Sequence, residues 1–168
     1  MVAGKKWILI PLAVVLIAGL WLMLRPTDER IIRRQFSDIE KLFQKRPDEP
    51  PLKSLKKAAG IGAYIADPCR LTLEKTNSEA AYPHKEATDR VILLRSRYTT
   101  LDMEIHDLEI TLDSDRQAQA VMTVRIIGEA QGLDLADVQE VRAVLEKQEG
   151  KWLIAGVTVI EVLTGVAN

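Results

Sequence analysis

His106 and Asp107 are the adjacent residues of this 168-residue chain whose types most directly suggest chemistry, because histidine and aspartate can exchange protons in enzymes. They lie in the stretch MEIHDLEITLD (103–113), whose apolar residues alternate as in a β-strand but change phase after His106. Adjacent residues of a regular strand point to opposite faces, so the two side chains cannot meet one substrate proton unless a bulge redirects one of them. The pattern therefore predicts a β-bulge, and it leaves open whether the pair faces a pocket or water.

Other residue combinations give weaker indications of chemistry. Ser54 and Lys57 have the Ser-x-x-Lys spacing of acyl-transferring enzymes, but the companion motifs of those enzymes are absent from the sequence. Cys69 is the only cysteine, and with two distant histidines it forms no metal-ligand spacing. Gly60 and Gly62 are not followed by the Lys-Ser/Thr of a phosphate-binding loop. We therefore expect no metal, no cofactor and no catalytic residues, and we favour a non-enzymatic role while leaving enzyme activity open.

The N-terminal segment is the most apolar part of the chain. From Trp7 to Leu24 it contains no charged residue, and as a helix it would extend roughly 27 Å, close to the thickness of a bilayer core. The alternative is a cleaved signal peptide, but the apolar run exceeds the usual length and no small-x-small site follows it. The sequence therefore predicts a tail and transmembrane anchor in residues 1–26 and one domain in residues 27–168.

The charge distribution bears on location and partners. Lys5 and Lys6 favour a cytoplasmic N-terminus, whereas Arg25 and the arginines after it favour the opposite orientation. We expect a single-pass protein of a bacterial inner membrane with its C-terminal domain in the periplasm. Residues 25–57 carry ten Lys and Arg against six Asp and Glu, which fits either attraction to lipid headgroups or a solvated helix face. Residues 58–168 are acidic, which argues against nucleic-acid binding.

The domain begins with helical periodicity and continues with strand periodicity. We predict helices at 27–46, 52–65 and 84–100. A short strand at 69–75 and a loop at 76–87 are predicted between the second and third helices. Their apolar stripes are Ile32, Phe36, Ile39 and Phe43 in the first helix, Leu52, Leu55 and Ala59 in the second, and Ala87, Val91, Leu94 and Tyr98 in the third. Four long antiparallel strands follow, separated by a turn at 113–116, a loop through Gly132 and Leu135, and a hairpin turn at Glu149-Gly150. The last strand is apolar on both faces, which indicates a central or helix-covered position.

This element order predicts an α+β fold with helices on one side of a curved antiparallel sheet. Together with the closing hairpin LEKQEGKWLIAGVTVIEV (145–162), in which Trp152 follows Gly150, it resembles the nuclear transport factor 2-like superfamily over Thr27 to Leu163. The resemblance implies a cone-shaped sheet wrapped around a long helix. The superfamily includes dehydratases, isomerases, polyketide cyclases, protein-binding modules and membrane-anchored assembly factors, so the resemblance leaves function open.

Two functional hypotheses follow from this architecture. The first is a membrane-anchored, non-catalytic domain for interaction or assembly, whose partners are the lipid bilayer and a protein or a second copy. The mixed sheet face that carries Arg125 is the candidate contact surface. The second is a domain that binds a small molecule, or an acid/base enzyme, using a cavity in the cone. Its candidate pocket residues are Tyr98, Met103, His106, Asp107, Met122 and Trp152.

Overall fold

The structure is a computed structural model that describes residues 27–163, with side chains up to Ile160. The proposed anchor, Trp7 to Leu24, lies outside the described residues. No helix among the described residues is long and apolar enough to cross a membrane. The elements are α1 (Asp28–Phe43), α2 (Pro51–Gly62), β1 (Ile65–Leu73), a 3₁₀ turn (Glu74–Thr76), β2 (Ser78–Tyr82), α3 (His84–Ser96), β3 (Thr100–Leu112), β4 (Gln117–Ala130), β5 (Leu133–Gln148) and β6 (Lys151–Leu163).

The strands form one curved sheet in the order β2-β1-β6-β5-β4-β3, and the helices pack on its concave face. Strands β3 to β6 are antiparallel neighbours, as predicted, while β1 pairs with β6 in parallel. The predicted central position of the last strand is confirmed, since β6 lies between β1 and β5. The fold is therefore the expected α+β arrangement, with one parallel pair in an otherwise antiparallel sheet.

Helix α1 forms where its amphipathic pattern predicts it. The Thr27 hydroxyl accepts a hydrogen bond from the backbone N–H of Arg30, and this satisfies one of the free donors at the helix start. The predicted stripe from Ile32 to Phe43 is buried against the sheet. Burial of these large apolar side chains is what holds the helix in place, at about 1.5–3 kcal/mol for each side chain fully buried.

Helix α1 also covers the free edge of β3. Arg33 donates to the carbonyl of Leu108 at 3.2 Å, and Glu40 accepts from the backbone N–H of Ile105 at 2.9 Å. Beyond the helix end, the backbone of Lys45 pairs with that of Leu101. These contacts occupy backbone groups that an edge strand would otherwise leave free for another chain.

A buried ionic cluster joins the end of α1 to the other helices. Arg95 is 1% exposed and donates to the carbonyl of Leu42 at 2.8 Å and to the Glu49 carboxylate at 2.6 Å. Lys57 donates to the other Glu49 oxygen at 2.6 Å. Burial alone would raise the pKa of Glu49, but the hydrogen bond and charge of Lys57, with Arg95 and Ser54, hold that pKa below its ordinary value. Ser54 and Lys57 thus serve this cluster.

Several boundaries differ from the sequence prediction. The segment predicted as a loop at 76–87 contains β2, whose small and polar residues gave no clear apolar alternation. Helix α3 ends at Ser96, and its buried residue is Arg95, outside the predicted stripe. On α2 the predicted stripe of Leu52, Leu55 and Ala59 is exposed, and the buried residues are Ala58, Ile61 and Gly62. The loop predicted through Gly132 and Leu135 is a two-residue turn, Gln131-Gly132, whose positive φ values of 55° and 78° allow β5 to start at Leu133.

Candidate functional site

The phase change at His106-Asp107 is the predicted β-bulge. His106 pairs with Thr123 and Glu109 with Val121, so Asp107 and Leu108 together oppose one residue of β4. Asp107 has a φ of 53°, a left-handed conformation that aspartate tolerates better than most residues. The bulge shifts the phase of the strand and lets apolar residues on both sides of it face the core.

His106 and Asp107 are both exposed. The neighbour of His106, Ile105, packs on the core, so His106 lies on the outer, convex face of the sheet. There its Nε2 lies 3.3 Å from the Glu104 carboxylate, which also accepts from Arg125 at 3.2 Å. The structure thus places this pair away from the concave face.

The other candidate pocket residues lie on the concave side of the molecule. Met122 and Trp152 are buried in the core, and Tyr98 and Met103 are half-buried against it. The Tyr98 ring covers Gly128, where an added Cβ would lie 2.7 Å from the ring. Whether any of these four residues contacts a ligand stays a prediction.

Trp152 lies at the end of the sheet formed by the β5–β6 hairpin. Its indole Nε1 donates to the Asp28 carboxylate at 2.9 Å, and Lys147 donates to the same oxygen at 2.7 Å. The hydrogen bonds from Lys147 and Trp152 lower the pKa of Asp28 below its ordinary value. These contacts fix the start of α1 to the β5–β6 hairpin.

The concave face has two halves that differ in burial. In the half nearest Trp152, small and large apolar residues fill the space against α1. These buried residues are Ala118, Ala120, Ala143, Leu145, Trp152 and Ile154. In the other half the concave side chains are only half-buried. We call this second region the open half, and its residues are Met103, Ile126, Asp137, Gln139, Val141 and Val159.

Asp137 and Gln139 are the polar residues of the open half. Asp137 pairs across the strands with Ile126, and Gln139 with Val124, and directly paired residues share a face. Because Ile126 and Val124 pack in the core, Asp137 and Gln139 also face the concave side. Gln139 Nε2 donates to Asp137 Oδ2 at 2.6 Å. An amide and a carboxylate are therefore held together among apolar side chains.

Gln35 adds a polar group on the helix side. It is 5% exposed, and no described residue accepts a hydrogen bond from its Nε2. Arg33 lies two residues away on the flank of α1 that contacts β3, and two residues turn a helix by about 200°. Gln35 therefore lies on the opposite flank, toward the interior of the fold, with Leu42, which contacts α2 at Gly60.

The depressions found elsewhere on the described surface are open to solvent. A groove of about 490 Å³ on the outer face has Ala155 and Gly156 among its lining, together with the Arg70–Glu79 ion pair. Among the described residues, no group of three or more His, Cys, Asp and Glu is placed to hold a metal ion. Burial raises the pKa of the Cys69 thiol, which leaves it a poor nucleophile.

Sequence reasoning missed Asp137, Gln139 and Gln35. The sequence contains a pattern that indicates an inward orientation of Asp137 and Gln139, because they continue the alternation of Val141, Ala143 and Leu145 toward the start of β5. The loop predicted through Leu135 hid that continuity. Gln35 had no such signal, since a glutamine beside an apolar stripe is usually solvated.

No protein-family model and no curated protein matches the sequence. Among solved structures, an NTF2-like protein with a cystatin-like fold from Novosphingobium aromaticivorans superposes with a TM-score of 0.61 at 14% identity, over 90% of this chain and 90% of that chain. The hexachlorocyclohexane dehydrochlorinase LinA-type3 from Novosphingobium barchaimii has a TM-score of 0.59 at 13% identity, over 82% and 91% of the two chains.

An NTF2-like protein of unknown function from Pseudomonas putida has a TM-score of 0.58 at 13% identity, over 76% of this chain and 82% of that chain. At such identities the similarity shows the fold alone. The described domain therefore has the nuclear transport factor 2-like fold, which occurs in enzymes and in proteins of unknown function.

Proposed function

We propose that the domain binds a small, mainly apolar molecule on the open half of its concave face. The observation that carries the proposal is the Asp137–Gln139 pair, held at 2.6 Å on a face that is otherwise apolar and only half-buried. Binding sites for small molecules combine apolar walls with a few oriented polar groups, and the open half has this composition.

The comparisons support this hypothesis over a purely structural role. The dehydrochlorinase of similar fold acts, by its name, on hexachlorocyclohexane, which is a small apolar molecule. This chain lacks an evident set of converging acid and base groups among its described residues, so the proposal is limited to binding.

The test is calorimetric titration of the full chain in a mild detergent with 1-naphthalenemethanol, using empty micelles as the blank. Val141→Phe would fill the open half and should weaken saturable binding at least about tenfold. Val138→Phe is the matched control, because Val138 lies on the outer face of the same strand and outside the outer-face groove. No saturable binding by the wild-type chain, or equal affinity in both variants, would contradict the proposal.

We also propose that Trp7 to Leu24 anchors the chain in a bacterial inner membrane, with the domain in the periplasm. Support comes from the uncharged sequence of that segment, which ends shortly before α1 begins at Asp28. Asp28 contacts the β5–β6 hairpin, at the end opposite the open half, so an anchored domain would present its site away from the bilayer. A reporter that is active only outside the cytoplasm, fused after Asn168, should be active, and an inactive fusion would overturn the placement.

Protein interaction is the second candidate function, and we propose the outer-face groove of about 490 Å³ as its contact surface. The proposed partner is a second copy that contacts this face. Sedimentation of the full chain should show a dimer that Val144→Arg dissociates, because the new charge would lie in the groove. A monomer at every concentration would refute self-association.

A further inference from the structure

We infer that the molecule bound in the open half carries a protonated amine that contacts Asp137. This inference rests on the proposed function and adds the chemical class of the ligand. It concerns the second oxygen of the Asp137 carboxylate, for which the described residues provide no hydrogen-bond donor.

The hydrogen bond between Gln139 and Asp137 determines which kind of ligand group the site prefers. Gln139 donates to Asp137 Oδ2, and among the described ion pairs none includes Asp137. Carboxylate oxygens only accept hydrogen bonds, so a ligand group that contacts Oδ1 favourably must be a hydrogen-bond donor. The strongest donor for a carboxylate is a cationic one, because charge-assisted hydrogen bonds are about twice as strong as neutral ones.

The surroundings strengthen this preference. Asp137 pairs with Ile126, and Gln139 with Val124, so apolar side chains flank the carboxylate and reduce its access to water. A carboxylate in such a place is costly unless it has a charged or hydrogen-bonding partner. A ligand carboxylate would meet repulsion there, and a ligand without a donor would leave Oδ1 without a partner.

Gln139 acts as a positioning residue. Its amide holds one carboxylate oxygen and thereby limits rotation of the carboxylate.

The experiment compares three probes with the same apolar body on the full chain in detergent. The probes are 1-naphthylmethylamine, 1-naphthalenemethanol and 1-naphthoic acid, each titrated with an empty-micelle blank. The amine should bind about tenfold more tightly than the alcohol, and the acid should bind more weakly than both. An amine that binds no more tightly than the alcohol overturns this inference and leaves the proposed function standing. Failure of all three probes to bind overturns the proposed function itself.

Variants then test whether Asp137 is the residue responsible for the preference for the amine. Asp137→Asn should reduce the affinity for the amine to that for the alcohol, without changing the affinity for the alcohol. Asp134→Asn removes the same charge three residues earlier on an exposed part of β5, so the ratio of the two affinities should remain unchanged. Gln139→Met should lower the ratio only partly, which distinguishes positioning from direct contact. Equal ratios in the Asp137→Asn variant and the wild type would overturn the assignment to Asp137.

Discussion

Asp107 shows at the residue scale how a pattern that suggests catalysis can have a backbone explanation. Its φ of 53° makes the bulge possible, and its side chain is exposed. Asp107→Ala should destabilise the fold by about 1 kcal/mol, because a Cβ without a polar group to compensate is disfavoured in the left-handed region. Asp107→Gly should be more stable than the alanine variant, since glycine adopts this conformation freely. Urea unfolding of both variants measures the difference, and equal stabilities would contradict the explanation.

Arg95 is a second residue whose contribution to stability depends on its environment. Arg95→Met would leave Glu49 buried with Lys57 as its remaining charged partner and would free the carbonyl of Leu42. We expect a loss of about 3–5 kcal/mol in the free energy of unfolding, which is typical when one partner of a buried ion pair is removed. Arg97→Met is the control, because Arg97 is exposed just after α3. Similar losses in both variants would show that the cluster contributes little.

At the scale of elements, the approach of Tyr98 and β3 to β4 depends on Gly128. A Cβ at Gly128 would lie 2.6 Å from the carbonyl oxygen of Thr100, closer than real contacts allow. Gly128→Ala should therefore cost about 2 kcal/mol, because backbone on both strands would have to move. Gly156→Ala is the matched control on β6, since its nearest contact would be 3.8 Å away. Thermal unfolding should separate the two, and equal melting temperatures would contradict the prediction.

At the scale of the whole molecule, two carboxylates link stability to pH. The pKa values of Asp28 and Glu49 are both lowered in the folded protein, so the unfolded chain binds more protons as the pH falls. Their contribution to stability is complete above the ordinary values of 3.8 and 4.5 and is lost as the pH falls through the folded pKa values. Unfolding free energies measured between about pH 6 and pH 2.5 should therefore decrease toward acid. The double variant Asp28→Asn, Glu49→Gln should flatten that decrease, and an unchanged slope would exclude these two groups as its cause.

Local patterns in the sequence were sufficient to predict much of the fold. The stripe of α1, its Thr27 cap, the bulge at His106-Asp107 and the turn at Glu149-Gly150 all depend on residues close together in the chain. Helical spacing, strand alternation and turn chemistry act over a few residues, so they can be read without knowing the rest of the molecule.

The tertiary structure alone decided what depends on residues far apart in the chain. Arg95 is buried because the end of α1 and Glu49, in the loop before α2, contact it, and a guanidinium in a helical sequence is normally solvated. Asp137 and Gln139 face the concave side because of their register with β4, and Gln35 is buried because of the flank it occupies on α1. Local sequence predicted most of the elements and the buried face of α1, but it missed β2 and the buried faces of α2 and α3. The packing between elements decided which polar groups lie inside the fold, because burial depends on contacts between distant segments.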